Sequence, residues 1–167
     1  MSAVHLVAPD LAKWDTHSAD VMAVGVFEDE RPLRGAAGLL DWRLAGRLSR
    51  MIKAKRFAGI AGEALMLPPP GGRLPFARLL LVGMGKSADF GEDRYRAEVR
   101  RMVQVLGGLA VGRWMVEPPG RSTGLIGPRR ALELWLAETK GKPVGEVTLI
   151  ESMAGQREMA DVLRAAR

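Results

Sequence analysis

A glycine-rich stretch, Gly83-Met84-Gly85-Lys86-Ser87, carries the residue types that cradle phosphates. A phosphate loop needs a glycine five residues before a glycine–lysine pair, so that successive backbone N–H groups wrap the anion. Position 80 is Leu80, and that spacing fails. The dinucleotide fingerprint comes nearer, because Gly83-x-Gly85-x-x-Ala88 follows an apolar, strand-like run. Asp89 and Phe90 delay the helix, however, and no acidic residue closes a second strand about 20 positions on. The plainer reading is a tight strand exit, where glycine supplies positive φ at little cost. Gly83, Gly85, Lys86 and Ser87 therefore stand as a candidate ligand loop, with nucleotides as the class to test.

Other chemistry is sparse. There is no cysteine, which excludes disulfides, thiolate nucleophiles and cysteine-zinc sites. His5 and His17 are the only histidines. Asp15 and Asp20 lie near His17, but the spacing matches no ligand set or triad. Both histidines read as structural or exposed. No cluster of convergent carboxylates is visible along the chain, and no cofactor is expected.

Charge offers a different function. The formal charge is +6 and the pI about 10.3. Arg43, Arg47, Arg50 and Lys53 fall on one side of a helical pattern, followed by Lys55 and Arg56. They form a candidate polyanion surface of the kind that follows phosphates in a salt-dependent way. Arg94, Arg96, Arg100 and Arg101 decorate a second helix, partly offset by Glu92, Asp93 and Glu98. The competing reading is the solvated face of arginine-rich amphipathic helices. Trp42 sits about 160° from Leu44 on the helical wheel, off the apolar stripe. It is a candidate interface anchor, with packing beneath a loop as the alternative.

The elements that position these residues are readable. The 167 residues are 47% hydrophobic and 26% charged, the balance of a globular chain of one domain, 1–167. No apolar run approaches the roughly 18 residues of a membrane span. The N-terminal Met1-Ser2-Ala3-Val4-His5 lacks a secretory pattern, so a cytoplasmic location away from membranes is expected. Strands are predicted at 3–8, 21–27, 63–67, 76–83, 113–116 and 146–150. The run Val21 to Phe27 is almost continuously apolar, as in a strand buried on both faces. A hairpin joins 63–67 to 76–83 across Pro68-Pro69-Pro70-Gly71-Gly72. The spacing of Leu40, Leu44, Leu48 and Met51 predicts one helix over 37–54. Further helices are predicted at 91–109, at 122–138 and at 153–166. For the third, Ser122 or Thr123 supplies the N-cap, or Pro128 opens the helix. Strands alternating with helices define an α/β sandwich with a largely parallel sheet.

Four segments together resemble a known family. They are Val24-Gly25-Val26-Phe27, Gly38-Leu39-Leu40-Asp41-Trp42-Arg43-Leu44 continuing to Arg50, Glu63 to Pro68, and Arg78 to Lys86. Their order and spacing resemble the N-terminal domain of leucyl aminopeptidases. The resemblance implies a macro-domain-like, three-layer α/β/α sandwich with a mixed, mostly parallel sheet. It also implies that the peptidase chemistry, two metal ions held by a separate C-terminal domain, lies elsewhere. The chain is then expected not to be an enzyme. In that family the domain helps build hexamers, and some bacterial members bind DNA. Homo-oligomerisation or a protein partner is therefore expected, with nucleic acid as the alternative. Macro domains of other families bind ADP-ribose, and some hydrolyse it with asparagine. This chain has no asparagine, which argues against that hydrolysis.

Overall fold

The computed structural model describes residues 3–68 and 70–167. Met1, Ser2 and Pro69, parts of the N-terminal and proline-turn readings above, lie outside the described residues. Six strands form one sheet: β1 (Val4–Val7), β2 (Val21–Val26), β3 (Ala64–Leu67), β4 (Arg78–Gly83), β5 (Arg113–Val116) and β6 (Glu146–Ile150). Their order across the sheet is β1-β6-β5-β2-β4-β3. Every pairing is parallel except the β3–β4 hairpin. The connecting helices are α1 (Leu11–Trp14), α2 (Gly35–Arg43), α3 (Arg47–Lys53), α4 (Glu92–Gly108), α5 (Pro128–Thr139) and α6 (Met153–Ala165).

Side-chain alternation along the strands divides the core in two. Val21, Ala23, Leu80, Val82, Trp114, Val116, Val147 and Leu149 face α4, α5 and α6. Met22, Val24, Val26, Leu79, Leu81, Met115 and Ile150 face the opposite layer, made by α1, α2 and α3. The chain is therefore a three-layer α/β/α sandwich. The unbroken apolar run of β2 follows from this, because a central parallel strand has no wet face. Trp114 packs on Trp135 with ring centroids 5.4 Å apart, and its indole N–H donates to the Val144 carbonyl at 2.6 Å. Among the described residues no helix is long and apolar enough to cross a membrane.

Two predicted helices are redrawn. The single helix expected over 37–54 is two helices, broken where Ala45 and Gly46 take φ of 54° and 79°. The apolar stripe continues through the break because Leu40, Leu44 and Leu48 all enter the same core layer. Asp41 restarts the chain: its carboxylate accepts from Ser49 N–H at 3.1 Å and from the Ser49 hydroxyl at 2.5 Å. The third helix begins at Pro128 behind Gly127, not at Ser122 or Thr123. Proline at the first helical position needs no N–H partner, so it opens this helix at no cost.

Candidate functional site

The parallel strands end together on one edge of the sheet, and the segments that follow them converge there. In an open α/β sheet this edge, beside the strand where the chain reverses its direction of winding, is where a crevice forms. That strand is β2: the chain passes from it to β4 on one side, then returns through α4 to β5 on the other. Two adjoining cavities open there. One, of about 260 Å³, is lined by Asp29, Glu30, Arg31, Arg34 and Ser87 among others. The second, of about 250 Å³, is lined by Gly35, Glu117, Arg121 and Glu151 among others.

The rim of the crevice is acidic. Glu117 follows the last residue of β5 and is buried. Its carboxylate accepts the Ala36 N–H at 2.9 Å and so caps α2 from another element. It also lies on the α-carbon of Gly35, where a β-carbon would stand 2.7 and 2.8 Å from its two oxygens. Burial pushes the Glu117 carboxyl up to about 7, opposed in part by the Ala36 N–H and the Ser122 side chain. The nearby charges of Glu30 and Glu151 push it in the same direction as burial. Glu30 accepts from Phe27 N–H at 3.3 Å and Arg34 N–H at 3.2 Å, and burial raises its carboxyl too. Asp29, exposed, accepts from the Ser87 hydroxyl at 2.5 Å and the Ser87 N–H at 2.9 Å, which hold it below the ordinary carboxylate range. Glu151 follows the last residue of β6 and is clamped by Arg121 through bonds of 2.6 and 2.9 Å.

The predicted ligand loop meets this crevice only at Ser87. Gly83 ends β4 against the backbone of Gly59 and Ile60, which leaves no room for a side chain. Gly85 has φ of 76°, the left-handed conformation that glycine allows. The N–H groups of Met84 and Gly85 donate to Val26 and Gly59 carbonyls, and that of Ser87 donates to Asp29. None of these three is left to cradle a phosphate. Lys86 is exposed.

The predicted basic surface is divided by the break between α2 and α3. Arg43 pairs with Asp15. Arg50 turns its guanidinium onto the Ala45 carbonyl at 2.5 Å. Arg47, Lys53, Lys55 and Arg56 have no carboxylate partner among the described residues. The arginines of α4 and α5 are different: Arg96 and Arg100 reach Glu138, Arg94 and Arg101 flank Glu98, and Arg130 grips Glu92. Trp42 lies on the exposed side of α2 and is 77% exposed, whereas Trp14, Trp114 and Trp135 are fully buried. His5 lies 3.5 Å from Glu146, and the His17 ring bonds the Lys13 carbonyl.

Glu30 and Glu151 lie near enough to Glu117 for their charges to act on its carboxyl. Among the described residues no group of histidine, aspartate or glutamate is arranged to hold a metal ion. The available sequence signal was position. Glu117 and Glu151 each stand one residue beyond a parallel strand, and Asp29 and Glu30 close behind another.

The layers, the mostly parallel sheet and the crevice at its carboxyl edge define a macro-domain-like fold. Residues 23–125 match the sequence profile of the cytosol aminopeptidase family, N-terminal domain. The chain belongs to that family through this domain. It is 40% identical over 89 residues to a probable cytosol aminopeptidase of Cupriavidus metallidurans, covering 53% of this chain and 17% of that one. A probable cytosol aminopeptidase of a Geobacter species is 39% identical over 90 residues, covering 54% and 18%. The chain thus spans about a sixth of the length of these relatives. Among solved structures, the macrodomain of Mycobacterium tuberculosis DarG aligns with a TM-score of 0.70 at 13% identity, covering 90% of this chain and 98% of that one. The Oceanobacillus iheyensis macrodomain with ADP gives 0.69 at 13% identity, covering 99% and 92%. A tomato leucine aminopeptidase variant gives 0.63 at 15%, covering 96% of this chain and 35% of that one. At these identities the structural likeness speaks for the fold alone.

Proposed function

We propose that this chain is a non-catalytic association module of the cytoplasm that binds its own copies or a protein partner through the edge formed by α2 and α3. The observation that carries this reading is Trp42, 77% exposed while the other three tryptophans are buried. A tryptophan left in water is a costly surface residue, and at interfaces it is a preferred anchor. The family match supports the non-catalytic part, since it falls on the N-terminal domain of enzymes several times longer. The module needs no cofactor, and residues 1–167 act as one unit.

Light scattering on the wild-type chain and on Trp42→Glu tests this directly. The wild type is expected at a multiple of its 18.1 kDa mass, or in complex with a captured partner. The variant is expected as a folded, uncomplexed monomer. A wild type that is monomeric and captures nothing, or a variant that assembles equally well, removes the reading.

A second reading, binding of nucleic acid, draws support from Arg47, Lys53, Lys55 and Arg56, which have no carboxylate partner among the described residues and lie beside the same edge. Mobility shifts at low salt test it, and binding should weaken steeply as salt rises. An ADP-ribose or nucleotide ligand draws support from the fold neighbour solved with ADP. It has the least support, because the N–H groups of Gly83, Gly85 and Ser87 in the ligand loop are already bonded within the chain.

A further inference from the structure

Open α/β sheets receive phosphate-bearing ligands beyond the carboxyl ends of their strands, where backbone N–H groups and helix N-termini supply positive potential. In this chain those donors are already held. Ala36 N–H, in the first turn of α2, donates to Glu117 at 2.9 Å. Phe27 N–H and Arg34 N–H, on the segment joining β2 to α2, donate to Glu30. Ser87 N–H, on the segment after β4, donates to Asp29 at 2.9 Å. Ser152 N–H, at the start of α6, donates to Glu151 at 2.9 Å.

Capping alone does not account for acidic residues here. Serine or asparagine would satisfy a helix N-terminus without placing a charge. Two of these carboxylates, Glu30 and Glu117, are buried and repel one another. Burying like charges is costly unless they answer fixed donors. Each accepts from an N–H group to which an anionic group would otherwise be drawn, and Glu117 and the Ser122 side chain together fill the hollow left by Gly35. Two of the three arginines lining the crevice are also engaged, while Arg34 is exposed. Arg121 clamps Glu151, and Arg31 donates to the Phe27 and Glu30 carbonyls.

We propose that Asp29, Glu30 and Glu117 are the resident occupants of this crevice, holding the N–H groups an oxyanion would use and thereby excluding phosphate-bearing ligands. The inference concerns the crevice and does not depend on the association proposed for the α2–α3 edge. A chain that excludes phosphates could assemble or not, and light scattering would tell.

The test is calorimetric titration with inorganic pyrophosphate and with ADP near neutral to mildly alkaline pH. The wild type should give no binding at millimolar ligand. Glu30→Ala with Glu117→Ala frees the N–H groups of Phe27, Arg34 and Ala36 and removes both charges. It should bind pyrophosphate at least about tenfold more tightly than the wild type, as expected for freeing donors and removing a like charge in contact with the ligand. Circular dichroism shows whether that variant is folded. Where the buried pair does not tolerate change, Asp29→Ala at its exposed position frees the Ser87 N–H and gives the reading instead, with a severalfold gain. Wild-type binding as tight as the variant's overturns the proposal. So does a folded variant, of either kind, that binds pyrophosphate no better than the wild type.

Discussion

The crevice at the carboxyl ends of the strands and the edge formed by α2 and α3 hold similar residues in opposite states. In the crevice, three carboxylates are buried and bonded: Glu117 to Ala36, Glu30 to Phe27 and Arg34, Glu151 to Arg121. At the edge, Trp42 stands in water and the cations of α3 lack carboxylate partners among the described residues. Burial forces the first arrangement, because a charge out of water without a partner costs several kcal/mol. Exposure permits the second, since water satisfies a cation at no structural expense. A polar group with all its partners inside the chain reports on folding. An apolar or charged group without them is what remains for another molecule.

That difference predicts where substitutions hurt. The largest effect is expected at Gly35, which combines φ of 56° with a β-carbon position 2.7 Å from a Glu117 oxygen. Gly35→Ala should cost roughly 4 kcal/mol in a urea melt, from left-handed strain and overpacking together. Gly71 provides the contrast: its φ is 60°, but an added β-carbon meets no atom within 4 Å. Gly71→Ala should cost only about 1 kcal/mol, from backbone strain alone. Equal costs at the two sites would mean that Ser122 and Glu117 do not pack on Gly35 as described.

Arg121→Ala comes next. It leaves the Glu151 carboxylate buried without its guanidinium and frees the Ile126 carbonyl that Arg121 also bonds, at 2.5 Å. Loss of one partner from a buried pair typically costs about 3–5 kcal/mol. Arg130→Ala, which breaks an exposed, solvent-screened pair with Glu92, should cost far less. The pair of melts separates crevice from surface with the same residue type.

Glu117 makes the comparison pH-dependent. Its carboxyl is raised from 4.5 to about 7 in the folded chain, chiefly by burial. Between those values the folded chain holds a proton that the unfolded chain has released. Stability from this group is therefore greatest at low pH and falls as pH rises through that window, by roughly 3 kcal/mol in all. Glu117→Gln should match the wild type near the lower limit and exceed it above the upper one. Glu30 shifts in the same direction but is present in both proteins, so the difference between the two melts isolates Glu117. Two curves that stay parallel across the window would show that Glu117 carries its charge without penalty.

Much of the fold was legible in the chain, and the site much less so. The run Leu79-Leu80-Leu81-Val82 and the proline-glycine turn before it marked the hairpin, because strand and turn are local properties. The break between α2 and α3 was hidden, since Leu40, Leu44 and Leu48 keep helical spacing across it and Ala45 gives no hint of positive φ. Pro128 left two starts open for its helix, and the structure takes the one that proline itself provides. The ligand loop drew attention because its glycines resemble a motif, yet those glycines serve backbone packing and a turn. Glu117 drew none, because the N–H group it caps lies 81 residues away in sequence. Its place directly after β5 was the only local sign.

The smallest effect on stability is expected at Trp42, and that is what makes the residue informative. Its indole loses little water on folding, so Trp42→Ala should change the unfolding free energy from a urea melt by less than about 0.5 kcal/mol. Trp135→Ala, by contrast, empties a fully buried site against Trp114 and should cost about 3–5 kcal/mol. A large cost at Trp42 would mean that its ring closes over a loop in solution, and the α2–α3 edge would then lose its claim as a binding surface. A negligible cost together with lost assembly assigns the ring's apolar area to a partner, because folding alone would leave that area in water.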